Sequence, residues 1–442
     1  MKEANYLLKE YEKLAFKNFF VRIFWAITII LPAQLVKAQQ DNPINLDDCY
    51  AWAKENSPVF NQLELNETIS QLRYDNISSA NLPQIELKGK ASYQSEVTKL
   101  NLDFPTIELP ELSPDHYNIY LDVSQNIYDG GLTEARRKLE EKSFVVENQN
   151  TIVDLFQIND KINQTFFNIL LIEKQQAIIK VAINTLNERI GQVESAVRNQ
   201  VLTANELDIL LVEKEERLRE FNKLNSDKKS AIRVLTLLTG RELSAEAHFQ
   251  VPEAAIFPGE IVRPELNYFR SQNEKLISSE KLVQKGRNPR IYGFAQTGVG
   301  RPGLNMLSDE FKSYYLVGIG LNWKVTDWKK TAREKQIIRQ QMELVNSRQE
   351  DFLLSVKRQL ANLEEEIGNL KTQLKQDDSI LKMRMRIAAR SSSALINGEI
   401  TSADYMEDLN AETNARLLKE SHLIQMKYAI IRYNTVKGKV LD

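Results

Sequence analysis

The chain has 442 residues, of which 42% are hydrophobic and 27% charged, and its formal net charge is −2. That is apolar enough for a sizeable fold and too near neutral to suggest a nucleic-acid partner. A single cysteine, Cys49, excludes an internal disulfide. His116, His248 and His422 show no metal spacing, and there is no phosphate loop or nucleophile elbow, so no enzyme, cofactor or metal site is expected.

Residues 1–38 read as an export signal. Basic residues up to Lys17 and Arg22 precede the apolar run Ile23–Leu31, and Val36-Lys37-Ala38 offers small residues for cleavage. Removing them leaves 52 basic against 57 acidic residues. The run is too short for a comfortable membrane span, and no stretch of 18 apolar residues follows it. An exported chain of this kind is either soluble in the periplasm or a β-barrel of the outer membrane.

Strands are predicted at about 84–94 and 117–128, where Tyr117, Ile119, Leu121 and Val123 alternate with Asn118, Tyr120, Asp122 and Ser124. Asp129-Gly130-Gly131 then turns strand into helix. Glycine permits the backbone angles of such a junction, and Asp129 can accept from the first free N–H groups. Helix is expected over 132–198. Leu155, Ile162, Ile169, Ile183, Ile190 and Val197 recur every seven residues, or fourteen across Gln176. No proline interrupts 115–251 or 303–442, so very long helices are allowed.

The plan then repeats with an offset of 198. "NQVLTANEL" at 199–207 matches "NGEITSADY" at 397–405, and Asp129 matches Asp327. Helices are therefore expected over 330–396, with Leu360, Ile367, Leu374, Leu381, Ala388 and Leu395 in phase, and strands at about 289–299 and 314–326. Thr203 with Glu206, and Thr401 with Asp404, both read as capping boxes opening return helices at about 204–238 and 402–437. Each half is thus a helical hairpin of about 100 Å. Repeat 1 spans 39–239 and the second set of strands and hairpin 288–442. The segment 240–287, with Pro252, Pro258 and Pro264, reads as the link between them.

The order and spacing of these landmarks resemble the TolC family of outer-membrane channels over essentially all of residues 44–442. They are "INLDDCYAWAKENSPVF" at 44–60, "ANLPQIEL" at 80–87, "YDGG" at 128–131, the repeat, and "NPRIYGF" at 288–294. The resemblance implies an α+β membrane protein. Three chains would contribute four strands each to one 12-stranded transmembrane β-barrel, continued by a long periplasmic α-helical coiled-coil barrel. It further implies an exit duct of a tripartite efflux pump, passing small molecules from an inner-membrane transporter through a periplasmic adaptor. Segment 240–287 would join a belt around the tunnel.

On the resemblance, the hairpin tips form the periplasmic constriction. Glu206, Asp404 and Glu407 are its acidic candidates, although Glu206 and Asp404 are also explained as capping partners. Asn199, Gln200, Thr203, Asn397, Gly398 and Thr401 would meet the partner, and Asp129, Gly130, Gly131 and Asp327 would form the strand-to-helix junctions. Three departures stand out: Gln200 where the family has glycine, "TDWKK" at 326–330 in place of a second Asp-Gly-Gly, and apolar Ile400 where some members carry a basic residue. Lys88, Lys90, Asp122 and Lys324 would give a lumen of mixed charge, and loops about 95–116 and 300–313 would face outside. A type I protein-secretion duct and a soluble periplasmic coiled-coil scaffold stand as alternatives. The scaffold predicts that the alternating strands pack against the protein itself.

Overall fold

The computed structural model describes residues 43–97 and 112–439; the leader 1–38 and most of the proline-rich loop around Pro105 and Pro110 lie outside them. Helix α1, Leu46–Asn56, starts on a complete capping box between Asn45 and Asp48. It stops at Ser57, which caps α2, Pro58–Ser79, with proline in the first helical turn, where its missing N–H costs nothing. Strands β1, Gln84–Tyr93, and β2, Asp115–Tyr128, follow. Then come α3, Leu132–Arg198, and α4, Ala204–Thr239. The second half repeats the order with α5, Pro264–Lys285, β3, Arg290–Arg301, β4, Lys312–Asn322, α6, Lys330–Ile396, and α7, Ser402–Lys437. Long helices of 67 residues and return helices of 36 recur in both halves. A 67-residue helix is about 100 Å long.

Most strand ends differ from the sequence-based expectation by one or two residues, and two differences are larger. Strand β4 ends at Asn322, so Trp323 and Lys324 lie beyond it and Lys324 is not a strand-borne lumen residue. The link 240–287 contains the 22-residue helix α5. It has the length of α2 and, like α2, leads into a strand. Its start signal is local: Pro264 and Glu265 in the first turn.

The four strands form one antiparallel sheet in the order β1-β2-β3-β4. Register puts Ile85, Val123, Ala295 and Val317 in one row and Leu87, Leu121, Thr297 and Tyr315 in the next. Gly89, Ile119 and Val299 follow on the same face. That face is apolar and open: Leu87 is 72% exposed, Val317 71% and Ile319 76%. The main contacts of each strand are with its neighbouring strands, and no helix packs broadly on either face.

The helices are held by three apolar clusters. At mid-length, Leu46, Cys49 and Ala53 of α1 meet Phe166, Ile169 and Leu170 of α3, Leu235 of α4, Phe249, and Ile424 and Ile431 of α7. The coils between α4 and α5 are strapped to this level by hydrogen bonds. Asn434 Nδ2 donates to Ala255 O at 2.7 Å, Asn434 Oδ1 accepts from Phe257 N at 3.0 Å, and Ile44 N donates to His248 O at 2.8 Å. A second cluster joins Val356, Leu363 and Ile367 of α6 to Ala429, Ile430 and Tyr433 of α7. The third lies at the far end, where Leu186 and Val193, Leu210, Leu395, and Tyr405, Met406 and Leu409 bring all four hairpin helices together.

Candidate functional site

Two regions carry features without a purely internal use: the polar face of the sheet and the hairpin tips. On the polar face the rows are Glu86, Asp122, Gln296 and Leu316, then Lys88, Tyr120, Gly298 and Tyr314. Lys88 bridges Glu86 at 3.1 Å and pairs with Asp122, which also accepts from Gln296 Nε2 at 3.0 Å. Phe294 and Tyr292 lie against Gly318 and Gly320, where an added Cβ would sit 2.5 and 2.3 Å from ring atoms. Flat rings shield the glycine backbone and leave the polar face low.

The junctions are built alike in both halves. Asp129 Oδ1 accepts from Gly131 N at 2.9 Å, and its other oxygen from Thr133 N. Asp327 Oδ2 accepts from Thr331 N at 3.0 Å. Burial pushes Asp129 up, but the bonds from Thr133, Gly131 and Leu132 outweigh it and hold the carboxyl below its ordinary range. Thr331 does the same for Asp327, against a smaller burial effect. Gly130 and Gly131 take φ of 70° and 79°; their counterparts Trp328 and Lys329 take 51° and 62°. The second half thus keeps the left-handed turn without glycine, at about 1–2 kcal/mol per residue.

The tips repeat their backbone bonds with the 198 offset. Val201 N donates to Ala196 O and Glu399 N to Ala394 O, each at 2.9 Å. Asn199 N reaches Ser195 O at 3.1 Å and Asn397 N reaches Ser393 O at 3.2 Å. Gln200, at φ 60°, occupies the left-handed position that Gly398 holds at 70°. Asn199, Gln200, Thr203, Asn397, Gly398 and Thr401 all lie at this end, and the side-chain-bearing residues among them are exposed.

The acidic residues divide by role. Thr401 and Asp404 form a complete capping box, and Thr401, through its side chain and then its backbone, holds the exposed Asp404 carboxyl below the ordinary aspartate range. The first capping box is absent: Thr203 makes no side-chain cap bond. Glu206 instead accepts from Ser402 N, at the start of the other return helix. The N–H groups of a first helical turn lack internal partners, and α7 begins within reach of the α4 carboxylate. Glu407 is exposed and has no hydrogen-bond or ion-pair partner among the described residues. Two further links between the hairpins escape sequence reading because their residues sit in ordinary charged stretches. Arg217 donates to Asn410 Oδ1 at 2.8 Å, and the Arg189 guanidinium lies 5.9 Å from the Tyr405 ring centroid.

Among the described residues no three His, Cys, Asp or Glu side chains gather as a metal site, and no helix is long and apolar enough to cross a membrane. The second statement leaves a β-barrel open.

A short antiparallel sheet with one bare apolar face, continued by paired helical hairpins of equal length, is the fold of the TolC-type outer-membrane channels. Solved structures share it. The outer membrane channel CmeC of Campylobacter jejuni superposes with a TM-score of 0.66 at 13% identity, covering 90% of this chain and 86% of that one. The outer membrane protein VceC of Vibrio cholerae gives 0.64 at 12% identity, covering 90% and 97%. The outer membrane channel MtrE of Neisseria gonorrhoeae, in its open state, gives 0.64 at 13%, covering 89% of each chain. No protein-family model and no curated protein sequence matches the chain.

Proposed function

We propose that three copies of the chain form an outer-membrane channel that serves as the passive exit duct of an efflux pump. The observation that carries this reading is the sheet: it has a continuous uncovered apolar face, and its outer strands β1 and β4 each have a free edge. An open edge and an unburied apolar face are both unfavourable in water. Four strands cannot close a barrel, whereas three sheets joined edge to edge give twelve. The apolar faces would then meet lipid, and the Lys88–Asp122 face would line the lumen. The same bare face argues against the soluble scaffold, which needs the strands covered by the protein itself.

The helices support the same assembly. Exposed Leu65, Ile69 and Leu72 on α2, and Ile337 and Leu344 on α6, provide apolar stripes on the two outermost helices next to the sheet. Three pairs of hairpins would continue the barrel as a helical tunnel. Its far end would narrow at Asp404 and Glu407, where three copies of each carboxylate focus negative potential and favour cations. The exposed tip residues would meet a periplasmic adaptor, and an inner-membrane transporter would supply the cargo. No group in the duct performs chemistry on the cargo.

The test is fractionation of a Gram-negative cell expressing the full-length chain, followed by electron microscopy of the detergent-extracted protein. A trimeric tube from the outer-membrane fraction, with a helical section of about 100 Å, is expected. A soluble monomer or simple rod in the periplasm would overturn the reading.

A further inference from the structure

The second strand-to-helix junction is unlike the first in its side chains. Gly130 and Gly131 have become Trp328 and Lys329, both left-handed, a conformation that disfavours any side chain. Trp328 is 88% exposed, the most exposed of the large apolar residues among those described, and Trp323 is 57% exposed. Trp323 continues the alternation of Tyr315, Val317, Ile319 and Leu321, whose side chains form the apolar face. Lys324, Lys329, Lys330 and Arg333 around them are all exposed. The acidic neighbours are engaged: Asp327 with Thr331 and Arg287, and Glu334 with Lys330 at 3.6 Å. An aromatic and cationic patch with surplus positive charge therefore sits where the apolar band ends on the helical side.

We infer that this junction, Trp323 to Arg333, is an anchor for anionic phospholipid: Trp323 and Trp328 sit at headgroup level while Lys329 and Lys330 hold the phosphate. The inference rests on the channel reading, because only a membrane-inserted sheet brings this end to a headgroup layer. Indole rings favour the boundary between hydrocarbon and water, and each nearby Lys or Arg strengthens binding to an anionic surface by about fivefold. At the equivalent positions of the first junction, Gly130 and Gly131 offer neither ring nor charge. Each protomer therefore carries one such site.

The purified full chain can be reconstituted into vesicles of phosphatidylcholine with a minor share of phosphatidylglycerol, the bromine being placed on one lipid or the other. Flotation reports insertion. The difference in quenching between the native chain and Trp328→Phe reports what surrounds Trp328. The expected result is stronger quenching by brominated phosphatidylglycerol than its share predicts. That preference should fall roughly 25-fold in the Lys329→Gln, Lys330→Gln double variant, with insertion and helix content unchanged. Quenching by the two lipids in proportion to their shares would overturn the anchor and leave the channel standing. So would a native chain that floats with Trp328 unquenched, which would place a neighbouring protomer over the ring. A chain that folds but does not float would overturn the channel reading and the anchor together.

Discussion

Single residues decide the turns on which both halves depend. An added Cβ at Gly130 would lie 2.4 Å from Asn288 Cβ, at φ 70°. Gly130→Ala should therefore cost about 2–3 kcal/mol, more than backbone conformation alone, as read by thermal or denaturant melting. Gln200→Gly should do the reverse. It relieves about 1–2 kcal/mol of left-handed strain and loses about 0.5–1 kcal/mol to the freer unfolded chain, a net gain of about 0.5 kcal/mol. Asp404 has a pH signature. Its folded-state pKa lies below its unfolded value, so its contribution is complete above the ordinary aspartate range and is lost as pH falls through the folded value. Protection from hydrogen exchange in the first turn of α7, taken relative to the intrinsic rate at each pH, should fall in acid in the native chain and be insensitive to that pH step in Asp404→Asn.

At the scale of elements, the two sheet faces should answer differently to the same charge. Ile319→Arg on the apolar face should cost about 2–4 kcal/mol and shift the protein out of the outer-membrane fraction. Ser124→Arg, on the polar face, should leave insertion intact. The hairpins are tied by Glu206, so Glu206→Ala should raise exchange at Ser402 and its neighbours, whereas Glu206→Gln keeps an acceptor and should change it little. The long helices were legible because their signal is periodic: Ile162, Ile169, Leu186 and Val193, and in the second half Ile367, Leu381, Ala388 and Leu395, are all buried. The Thr401–Asp404 cap was legible because both partners lie within one turn. The Glu206 bond was not, since Ser402 is 196 residues away and nothing local distinguishes a carboxylate that caps its own helix from one that caps a neighbour. Helix α5 was obscured by the prolines before it, which mark coil as readily as a helix start.

For the whole molecule, the exposed apolar residues are those that the proposed trimer and membrane would bury. Leu344→Glu on α6 should weaken trimers without unfolding the protomer, because Leu344 is exposed in the single chain. Mass measurement in detergent together with circular dichroism would separate assembly from folding. The repeat itself was legible from matched landmarks and helical phase and not from residue identity, because much of the equivalence is carried by backbone and not by side chains. The pair Trp328-Lys329 follows the path of Gly130-Gly131 with no residue in common.

The mid-length cluster around Phe166 and Leu235 has a mechanical meaning. Above it α3 is flanked by the 22-residue helices α2 and α5, and below it by the 36-residue helices α4 and α7. The joints between these shorter pieces fall at the cluster, where the coils bond to α7, and α3 crosses that level unbroken. From Phe166 to the end of α3 is a shaft of about 48 Å. Clamped at that fulcrum, a tilt of about 5° carries the tip about 4 Å sideways, roughly a side chain's reach, while the sheet end stays still. In the proposed channel, a small angular push at mid-height would thus become a lateral stroke at the mouth.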